Sequence, residues 1–302
     1  MKDPQVRSAL VLGAGGLVGA ALMRVGAQKG PWAVRGPSGQ CLVGVTGFSR
    51  QMLDITKQDQ IDGVLDRVQP IVVINAAAQA KVDLAENEPE NTWLVNADAP
   101  GWWAEACRSR GVRFLHLSTD YVLDEPGKIR LNETVPPNPR GAYARSKLEG
   151  EERVLGQGGT VVRLQWVYHP THGGFFARAI ESLRRGERLR LVADQIGVPT
   201  PVEWVAGALL ECATQLVERP PVELLFHLAC MGEASAYEWI EEAANVLELP
   251  FGADVVTRAQ LGGAHRPERS CLDATRFSET FGVDVPDWRD AMRQVLVTEA
   301  SS

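Results

Sequence analysis

The sequence predicts an α/β fold in which a parallel sheet is covered by helices on both faces, the doubly wound Rossmann architecture, with a smaller C-terminal α/β lobe. Two observations predict it. Short aliphatic runs alternate with longer helical patterns through the first half of the 302 residues, and a glycine-rich turn directly follows the first run. Strands that are apolar on both faces are typical of parallel sheets, because crossover helices shield both sides.

The predicted elements of the first half follow one another in a regular order. Strands are expected at residues 9–12, 41–45, 71–74, 112–117 and 160–164, and helices at residues 17–28, 59–68, 91–109 and 142–155. Residues 30–40 and 123–139 are rich in glycine or proline and are predicted to be loops. Long loops in compact domains are often functional, so we expect the second one to border a ligand site.

Beyond residue 165 the alternation is less regular, which predicts the smaller lobe. Helices are expected at residues 175–185, 202–217, 237–247 and 287–296, and strands near residues 188–192 and 224–228. We predict a dinucleotide-binding domain over residues 1–165, to which residues 194–218 return. Residues 166–193 and 219–302 are expected to form a substrate-binding lobe.

Composition argues against several classes of protein. The 31 basic and 38 acidic residues give a net charge of −7, which disfavours a nucleic-acid surface, since phosphate backbones are bound by clustered basic charge. No apolar run is long enough to span a bilayer, and the first residues lack the apolar core of a signal peptide, so we expect a cytoplasmic protein. The five cysteines are scattered, which favours a reducing compartment, and no Cys or His spacing predicts a metal site.

The strongest cofactor signal is the turn between the first strand and the first helix. Gly13, Gly16 and Gly19 fit a G-x-x-G-x-x-G pattern in the strand–turn–helix context of a dinucleotide fingerprint. Glycine allows a tight turn and lets backbone N–H groups approach a pyrophosphate, whose charge the helix N-terminus favours. The cofactor-binding residues predicted here are Gly13, Gly15, Gly16, Leu17, Val18 and Gly19.

The end of the second strand indicates which nicotinamide cofactor is bound. An acidic residue there would bind the ribose hydroxyls of NAD, whereas a basic residue accommodates a 2′-phosphate. Ser49 and Arg50 occupy this place, and no carboxylate occurs before Asp54. The residues therefore favour NADPH, with NADH left open.

A candidate catalytic pair begins the helix after the proline-rich loop. Tyr143 and Lys147 are four residues apart, so their side chains project from one face of a helix. A nearby cation favours phenolate, which makes such a pair able to give or take a proton. Ser118 and Thr119 end the fourth strand, and because ligands bind beyond the carboxyl ends of parallel strands, either hydroxyl could orient a carbonyl beside Tyr143.

Together these residues resemble the extended short-chain dehydrogenase/reductases, and in particular the dTDP-4-dehydrorhamnose reductase family. Nearly the whole chain takes part in the resemblance, in order. The segments that carry it are residues 74–78, 82–86, 95–96, 118–122, 143–149, 163–168, 194–200, 266–267 and 272–273.

The resemblance implies that NAD(P)H delivers hydride to C4 of a nucleotide-linked 4-keto-6-deoxy sugar. Tyr143 would protonate the oxygen, Thr119 would bind it, and Lys147 would hold the nicotinamide ribose and lower the pKa of Tyr143. Further cofactor contacts are implied for Asp54, Ile55, Ala76, Ala77, Ala78 and Asn96, and further substrate contacts for Ser118, Asp120, Tyr121 and Trp166. Trp166 has a second interpretation as a core residue, and a homodimer is also expected to be possible.

Other functions on the same fold remain open. The sequence departs from the family pattern at Ala144, at residues 79–81 and at residues 169–176, which cluster around the expected sugar site. Another nucleotide-sugar ketoreductase or an epimerase is therefore an alternative. A regulatory subunit, similar to the β-subunit of methionine adenosyltransferase, is a second alternative, although the complete Thr119, Tyr143 and Lys147 set favours an enzyme.

Overall fold

The computed structural model describes residues 6–36, 39–125, 127 and 130–300. The strands are β1 (Val6–Leu12), β2 (Trp32–Gly36), β3 (Gly39–Phe48), β4 (Val72–Asn75), β5 (Arg113–Thr119), β6 (Thr160–Leu164), β7 (Val167–Tyr168), β8 (Leu189–Val192), β9 (Ile196–Gly197), β10 (Thr200–Pro201), β11 (Leu225–Leu228), β12 (Ala234–Ser235) and β13 (Ala253–Val256). The helices are α1 (Leu17–Lys29), α2 (Gln58–Val68), α3 (Val82–Asn87), α4 (Pro89–Trp93), α5 (Ala99–Ser109), α6 (Gly141–Gly156), α7 (Gly174–Arg184), α8 (Val202–Glu218), α9 (Ala236–Val246), α10 (Arg258–Leu261), α11 (Thr275–Phe281) and α12 (Trp288–Ala300).

Seven strands form the main sheet, in the order β11-β6-β5-β4-β1-β3-β2. All neighbouring pairs are parallel except β2 and β3. Separate apolar clusters pack on the two faces of the sheet, with Val11 in one and Leu12 in the other. The predicted doubly wound fold is confirmed, and alternate β1 side chains are buried on both faces because helices cover both sides.

The carboxyl end of β1 is the switch point of the sheet. The chain leaves β1 towards β3 on one side and reaches β4 on the other, and Leu12 is level with both Phe48 and Asn75. The connections on the two sides therefore diverge and leave a crevice between them. Ligands bind at such a point in open α/β sheets.

The loop predicted over residues 30–40 is wrong for most of its length. Residues 32–36 form β2, which pairs with β3 as an antiparallel hairpin arm, and Pro37 and Ser38 lie outside the described residues. The indole N–H of Trp32 donates to the Thr214 hydroxyl at 2.9 Å, and Val34 is buried under α8. Glycine and proline therefore flank a short edge strand, which packing against α8 stabilises.

The long helix predicted over residues 91–109 is interrupted. A π-helical turn, Leu94–Asp98, separates α4 from α5. A Cβ on Gly150 of α6 would overlap the carbonyl of Asn96 in this turn, so the two backbones lie in direct contact. Turns of this kind are frequent at functional sites, and this one lies beside the helix that carries Tyr143 and Lys147.

A third apolar cluster joins α7, α9 and α12 and forms the smaller lobe, with Trp239 and Trp288 buried in it. One strand expected in this lobe is elsewhere: β11 is the edge strand of the main sheet, parallel to β6. The helix α11 packs on β11 through Phe277, and α8 packs against α1. The boundaries of the two domains stay a prediction.

Within the described residues, no helix is long and apolar enough to cross a membrane. The stretch 123–139 has little regular structure where it is described, and it is fixed at both ends. The amide of Leu131 donates to the carbonyl of Cys271, and the Asn138 side chain donates to the carbonyl of Asp124. The predicted loop is therefore anchored to the smaller lobe.

Candidate active site

An open groove of about 560 Å³ lies at the switch point, where β1, β3 and β4 end. The residues that line it are Gly13, Gly15, Gly16, Ser49, Arg50, Gln51, Leu53, Asp54, Ile55, Thr56, Ala76, Ala77, Ala78, Gln79, Asn91 and Val95. A larger cleft of about 760 Å³ lies at the opposite edge of the sheet, where the strands begin. We base the site on the smaller groove, because ligands of open α/β folds bind at the carboxyl ends of the strands.

The glycine turn fits closely against the end of β4. Gly13 has φ +79°, and a Cβ there would lie 2.7 Å from both the Cα and the amide nitrogen of Ala77. A Cβ on Gly19 would overlap the carbonyl oxygen of Gly13. The first turn of α1 contains no acidic residue, so the unpaired N–H groups at its start retain their attraction for an anion.

The residues after β3 form the far wall of the groove. Ser49 lies against Gly15, whose added Cβ would be 3.3 Å from the Ser49 Cβ, and the Arg50 side chain is exposed. Asp54 accepts hydrogen bonds from the amide and hydroxyl of Thr56, which lower the pKa of its carboxyl. The exposed Arg50 guanidinium and the Ser49 hydroxyl therefore lie at this wall, and the Asp54 carboxylate is already bound within its own turn.

Not every predicted cofactor residue reaches the groove. Ala76, Ala77 and Ala78 line it, but Leu17, Val18 and Gly19 do not. Asn96 is fully buried, where its amide accepts from the Gln79 N–H at 2.8 Å and donates to the Gln79 carbonyl at 3.1 Å and the Ser146 hydroxyl at 3.2 Å. Asn96 therefore holds the loop after β4 against α6 and does not face the groove itself.

Thr119 and Tyr143 come together at the end of β5. The Thr119 hydroxyl accepts from the amide of Tyr121 at 3.2 Å, donates to the Asp120 carboxylate at 3.3 Å, and lies close enough to the Tyr143 phenol to affect its pKa. The Tyr121 and Tyr143 rings meet edge-to-face, with centroids 5.7 Å apart. Burial raises the pKa of Tyr143, and the nearby Thr119 hydroxyl opposes this rise. At neutral pH the phenol therefore keeps its proton.

Lys147 has partners on β5 in the protein without cofactor, and its predicted effect on the pKa of Tyr143 stays a prediction. The Lys147 ammonium nitrogen lies 2.7 Å from the Leu117 carbonyl and 3.1 Å from Nε2 of His116, so it is held by β5. Burial lowers the pKa of Lys147 to about 8, and the charge of Glu151 opposes this fall. Helical spacing put the two side chains on one face, but it could not show that β5 offers Lys147 other partners.

The predicted substrate residues separate into two groups. The Ser118 hydroxyl is buried and has no hydrogen-bond partner in the described part of the chain, so it is free to bind a ligand at the end of β5. Asp120 is buried and accepts from Ser270 and Gln165, and burial raises its pKa to about 6. Trp166 stacks on Trp239 and covers Gly197, as its core interpretation predicts.

The smaller lobe contributes residues that sequence reasoning gave no role. Burial raises the pKa of Tyr121 to about 12, and Gln195, Arg258 and Arg266 lie close enough to lower it. Arg266 also bonds Asp83 at 2.8 Å and holds the pKa of that carboxyl at about 2. Gln195 and Arg266 lie in segments that carry the resemblance, whereas no sequence signal marks Arg258.

The comparisons with known proteins agree with this geometry. The family model described as the RmlD substrate binding domain matches residues 7–301. The chain belongs to the RmlD substrate binding domain family. It is 31% identical to a dTDP-4-dehydrorhamnose reductase of Aggregatibacter actinomycetemcomitans, over 95% of this chain and 97% of that protein.

A second curated relative and a solved structure are also similar to the chain. A probable dTDP-4,6-dihydroxy-2-methyloxan-3-one 4-ketoreductase of Streptomyces antibioticus is 32% identical, over 95% of this chain and 94% of that protein. The crystal structure of a Bacillus anthracis dTDP-4-dehydrorhamnose reductase in complex with NADP has the same fold, with a TM-score of 0.85 and 23% identity. The similarity covers 97% of this RmlD-family chain and 99% of the Bacillus anthracis chain.

Among the residues described here, no group of three or more His, Cys, Asp or Glu side chains is arranged to hold a metal ion.

Proposed function

We propose that this protein is an NADPH-dependent sugar-nucleotide ketoreductase that reduces the 4-keto group of dTDP-4-dehydrorhamnose to give dTDP-rhamnose. The observation that carries the proposal is that the Thr119 hydroxyl and the Tyr143 phenol lie beside Tyr121 at the carboxyl end of β5, on the same edge of the sheet as the switch-point groove. A carbonyl held there would lie beside both a hydroxyl and a protonated phenol. The named function of the Aggregatibacter relative supports the same chemistry.

The groove suits NADPH for reasons that lie in its own residues. Gly13 lets the glycine turn pack against the backbone of Ala77, and at the start of α1 the helix N-terminus would attract the pyrophosphate. Ser49 and the exposed Arg50 would bind the 2′-phosphate, since a guanidinium pairs with phosphate in a bidentate manner. Ile55 and Ala76 would cover the adenine and ribose. The Bacillus anthracis complex supports the idea that this fold accommodates NADP.

The chain's own residues supply the proton and the orientation for the reduction. Bound NADPH would supply the hydride, which adds to the carbonyl carbon. The Tyr143 phenol gives its proton to the carbonyl oxygen, so that C=O becomes CH–OH and the charges balance. Its raised pKa keeps that proton available at neutral pH. Thr119 and the unpaired Ser118 hydroxyl would hold the oxygen in place.

The lobe side of the site suits a nucleotide diphosphate. Arg258 and Arg266 place positive charge beside the Tyr121 ring, and a diphosphate is recognised by such guanidinium groups. We propose that residues 166–193 and 219–302, apart from β11 and α11, bind the sugar nucleotide. The Streptomyces relative, which is named for a different keto sugar, makes a second 4-keto substrate the alternative.

The test is NADPH oxidation at 340 nm with enzymatically prepared dTDP-4-dehydrorhamnose and with other dTDP-4-keto sugars. We expect rapid oxidation with the rhamnose precursor that is lost in Tyr143→Phe. The matched control is Tyr237→Phe, because the Tyr237 phenol contacts Glu241 on α9, away from β5. If NADPH were oxidised only with another keto sugar, the assignment of dTDP-4-dehydrorhamnose as the substrate would be wrong. If Tyr143→Phe oxidised NADPH at the wild-type rate, Tyr143 would not be the acid.

A further inference from the structure

The surroundings of Lys147 are unusual for an ammonium group. The side chain is only 2% exposed, and its nitrogen contacts the Leu117 carbonyl and the His116 ring. The nearest carboxylate, Glu151 on the same helix, is bound in a bidentate manner by Arg163 at 2.9 and 2.6 Å. Glu151 is therefore shared with Arg163, although its charge still opposes the fall in the pKa of Lys147.

The other groups around Lys147 carry no compensating negative charge. Tyr143, one helical turn earlier, has a raised pKa and is a neutral phenol. Ser146 and Asn96, at the contact between α6 and the π-helical turn, are neutral and bind each other. Among the described residues of β5, the titratable group in contact with Lys147 is His116, and burial lowers its pKa well below its ordinary value. His116 is therefore a neutral imidazole.

The tautomer of His116 follows from hydrogen bonds that begin at the β4 end. The Ala77 N–H donates to Oδ1 of Asn75 at 3.1 Å, so the Asn75 amide turns its Nδ2 towards His116. That Nδ2 lies 3.0 Å from Nδ1 of His116, and Nδ1 must accept. If the Asn75 amide were rotated by half a turn, its Nδ2–H group would face the backbone N–H of Ala77, and neither of these donors could accept a hydrogen bond. The single proton of the neutral ring is therefore on Nε2.

This tautomer determines what Lys147 can do. Nε2–H of His116 points at the Lys147 nitrogen across 3.1 Å. An ammonium group has three donors and no lone pair, so it cannot accept from an N–H group. A neutral amine has one lone pair for His116 and keeps hydrogens for the Leu117 carbonyl and for a ligand. The directions of the hydrogen bonds are consistent only with the amine.

We propose that Asn75 and His116 are positioning residues that favour the neutral amine of Lys147 in the cofactor-free protein, so that Lys147 loses its proton far more readily than the other lysines. The protonation state of Lys147 is inferred independently of the proposed function. Only its consequence rests on that function, namely that a bound cofactor would meet a lysine that can gain or lose a proton. Burial acts in the same direction and lowers the pKa of Lys147 to about 8.

The first test is a pH titration of the free protein labelled with [ε-13C]lysine and followed by NMR. The chain has six lysines, and the Lys147 signal is assigned as the one lost in Lys147→Met. We expect its titration midpoint to lie at least one pH unit below the midpoints of the other five lysines, which is a tenfold lower proton affinity. Titration together with the others would overturn the proposal.

The second test is His116→Gln, because a glutamine amide reaches the position of Nε2 and can turn its oxygen towards Lys147. We expect the Lys147 midpoint to rise by at least one pH unit, a tenfold gain in proton affinity, which a merely structural role would not produce. An unchanged midpoint in the folded variant would overturn the role of His116.

A third measurement needs no folded variant. Long-range 1H–15N spectra of the wild type report which ring nitrogen of His116 carries the proton. We expect Nε2–H, and a proton on Nδ1 would overturn the argument from Asn75. None of these measurements uses NADPH or a sugar substrate, so failure of the proposed function would be seen separately, in the oxidation assay.

Discussion

Replacing Gly13 by alanine should damage both the fold and the cofactor groove. The added methyl group would lie 2.7 Å from the Cα and amide nitrogen of Ala77 and 2.9 Å from the carbonyl carbon of Ala76. These are backbone atoms of the segment that directly follows β4, so they cannot rotate away. Gly13 also has φ +79°, which costs an alanine about 1–2 kcal/mol.

The expected loss of stability follows from adding the two effects. Overpacking a rigid site costs about 1–3 kcal/mol, so the free energy of unfolding should fall by about 2–5 kcal/mol in urea titration. Some of this strain would be relieved if the glycine turn moved away from Ala77. That movement would displace the N–H groups at the start of α1. We therefore also expect at least tenfold weaker NADPH binding in a fluorescence titration.

The matched control is Gly63→Ala on α2. No atom lies within 4 Å of its added Cβ, and its φ is not in the positive region. The same methyl group should therefore stabilise the protein by up to about 1 kcal/mol, because alanine loses less backbone entropy in a helix. If Gly13→Ala matched the wild type in both stability and NADPH affinity, the steric argument and the position of the cofactor would be refuted.

Three further predictions concern charged groups. Glu151→Gln should lower the free energy of unfolding by about 3–5 kcal/mol, because it leaves the buried Arg163 without its carboxylate; Glu149→Gln, in a partly exposed pair on the same helix, should cost no more than about 1 kcal/mol in the same urea titration. Because burial raises the pKa of Asp120 from 3.8 to about 6, the folded state binds the extra proton, and stability should fall by up to about 3 kcal/mol as pH rises from 4 to 6. Asp120→Asn should remove this fall from a series of thermal melts, and an identical pH profile would contradict it. Arg50→Ser should raise the Kd for NADPH at least fivefold and leave that for NADH nearly unchanged, and equal losses for both would remove the 2′-phosphate contact.

The strands at the centre of the sheet were predictable because their burial is uniform. Residues 160–164 are buried throughout β6 and were predicted at both ends. The edge strands were not predictable, because whether a segment becomes an edge strand depends on the element that packs against it. Trp32 begins a strand where α8 covers it, and α8 is distant in sequence. For the same reason β11 could not be assigned to the main sheet, since its aliphatic run would suit either sheet.

The candidate site was predictable in its chemistry but not in all its geometry. Thr119 and Tyr143 meet as expected, because a strand end and a helix start at one edge of a parallel sheet must lie close together. Asn96 and Asp120 were expected to face ligands and instead satisfy buried partners, a choice that depends on side-chain direction. His116 was overlooked, although a single histidine within the apolar run of β5 is a polar group that burial obliges to find partners.

The network around Lys147 also explains why the resting site suits reduction. A reductase needs the phenol of Tyr143 protonated before hydride transfer, and a permanent ammonium beside it would favour phenolate instead. Here Lys147 is held by His116 and the Leu117 carbonyl, and burial leaves Tyr143 protonated. Positive charge is needed only after the phenol has given up its proton, when a phenolate remains in a buried place. An amine at this position can take a proton from solvent water once the phenolate has formed, and the resulting ammonium then stabilises the phenolate on the product side of the proton transfer.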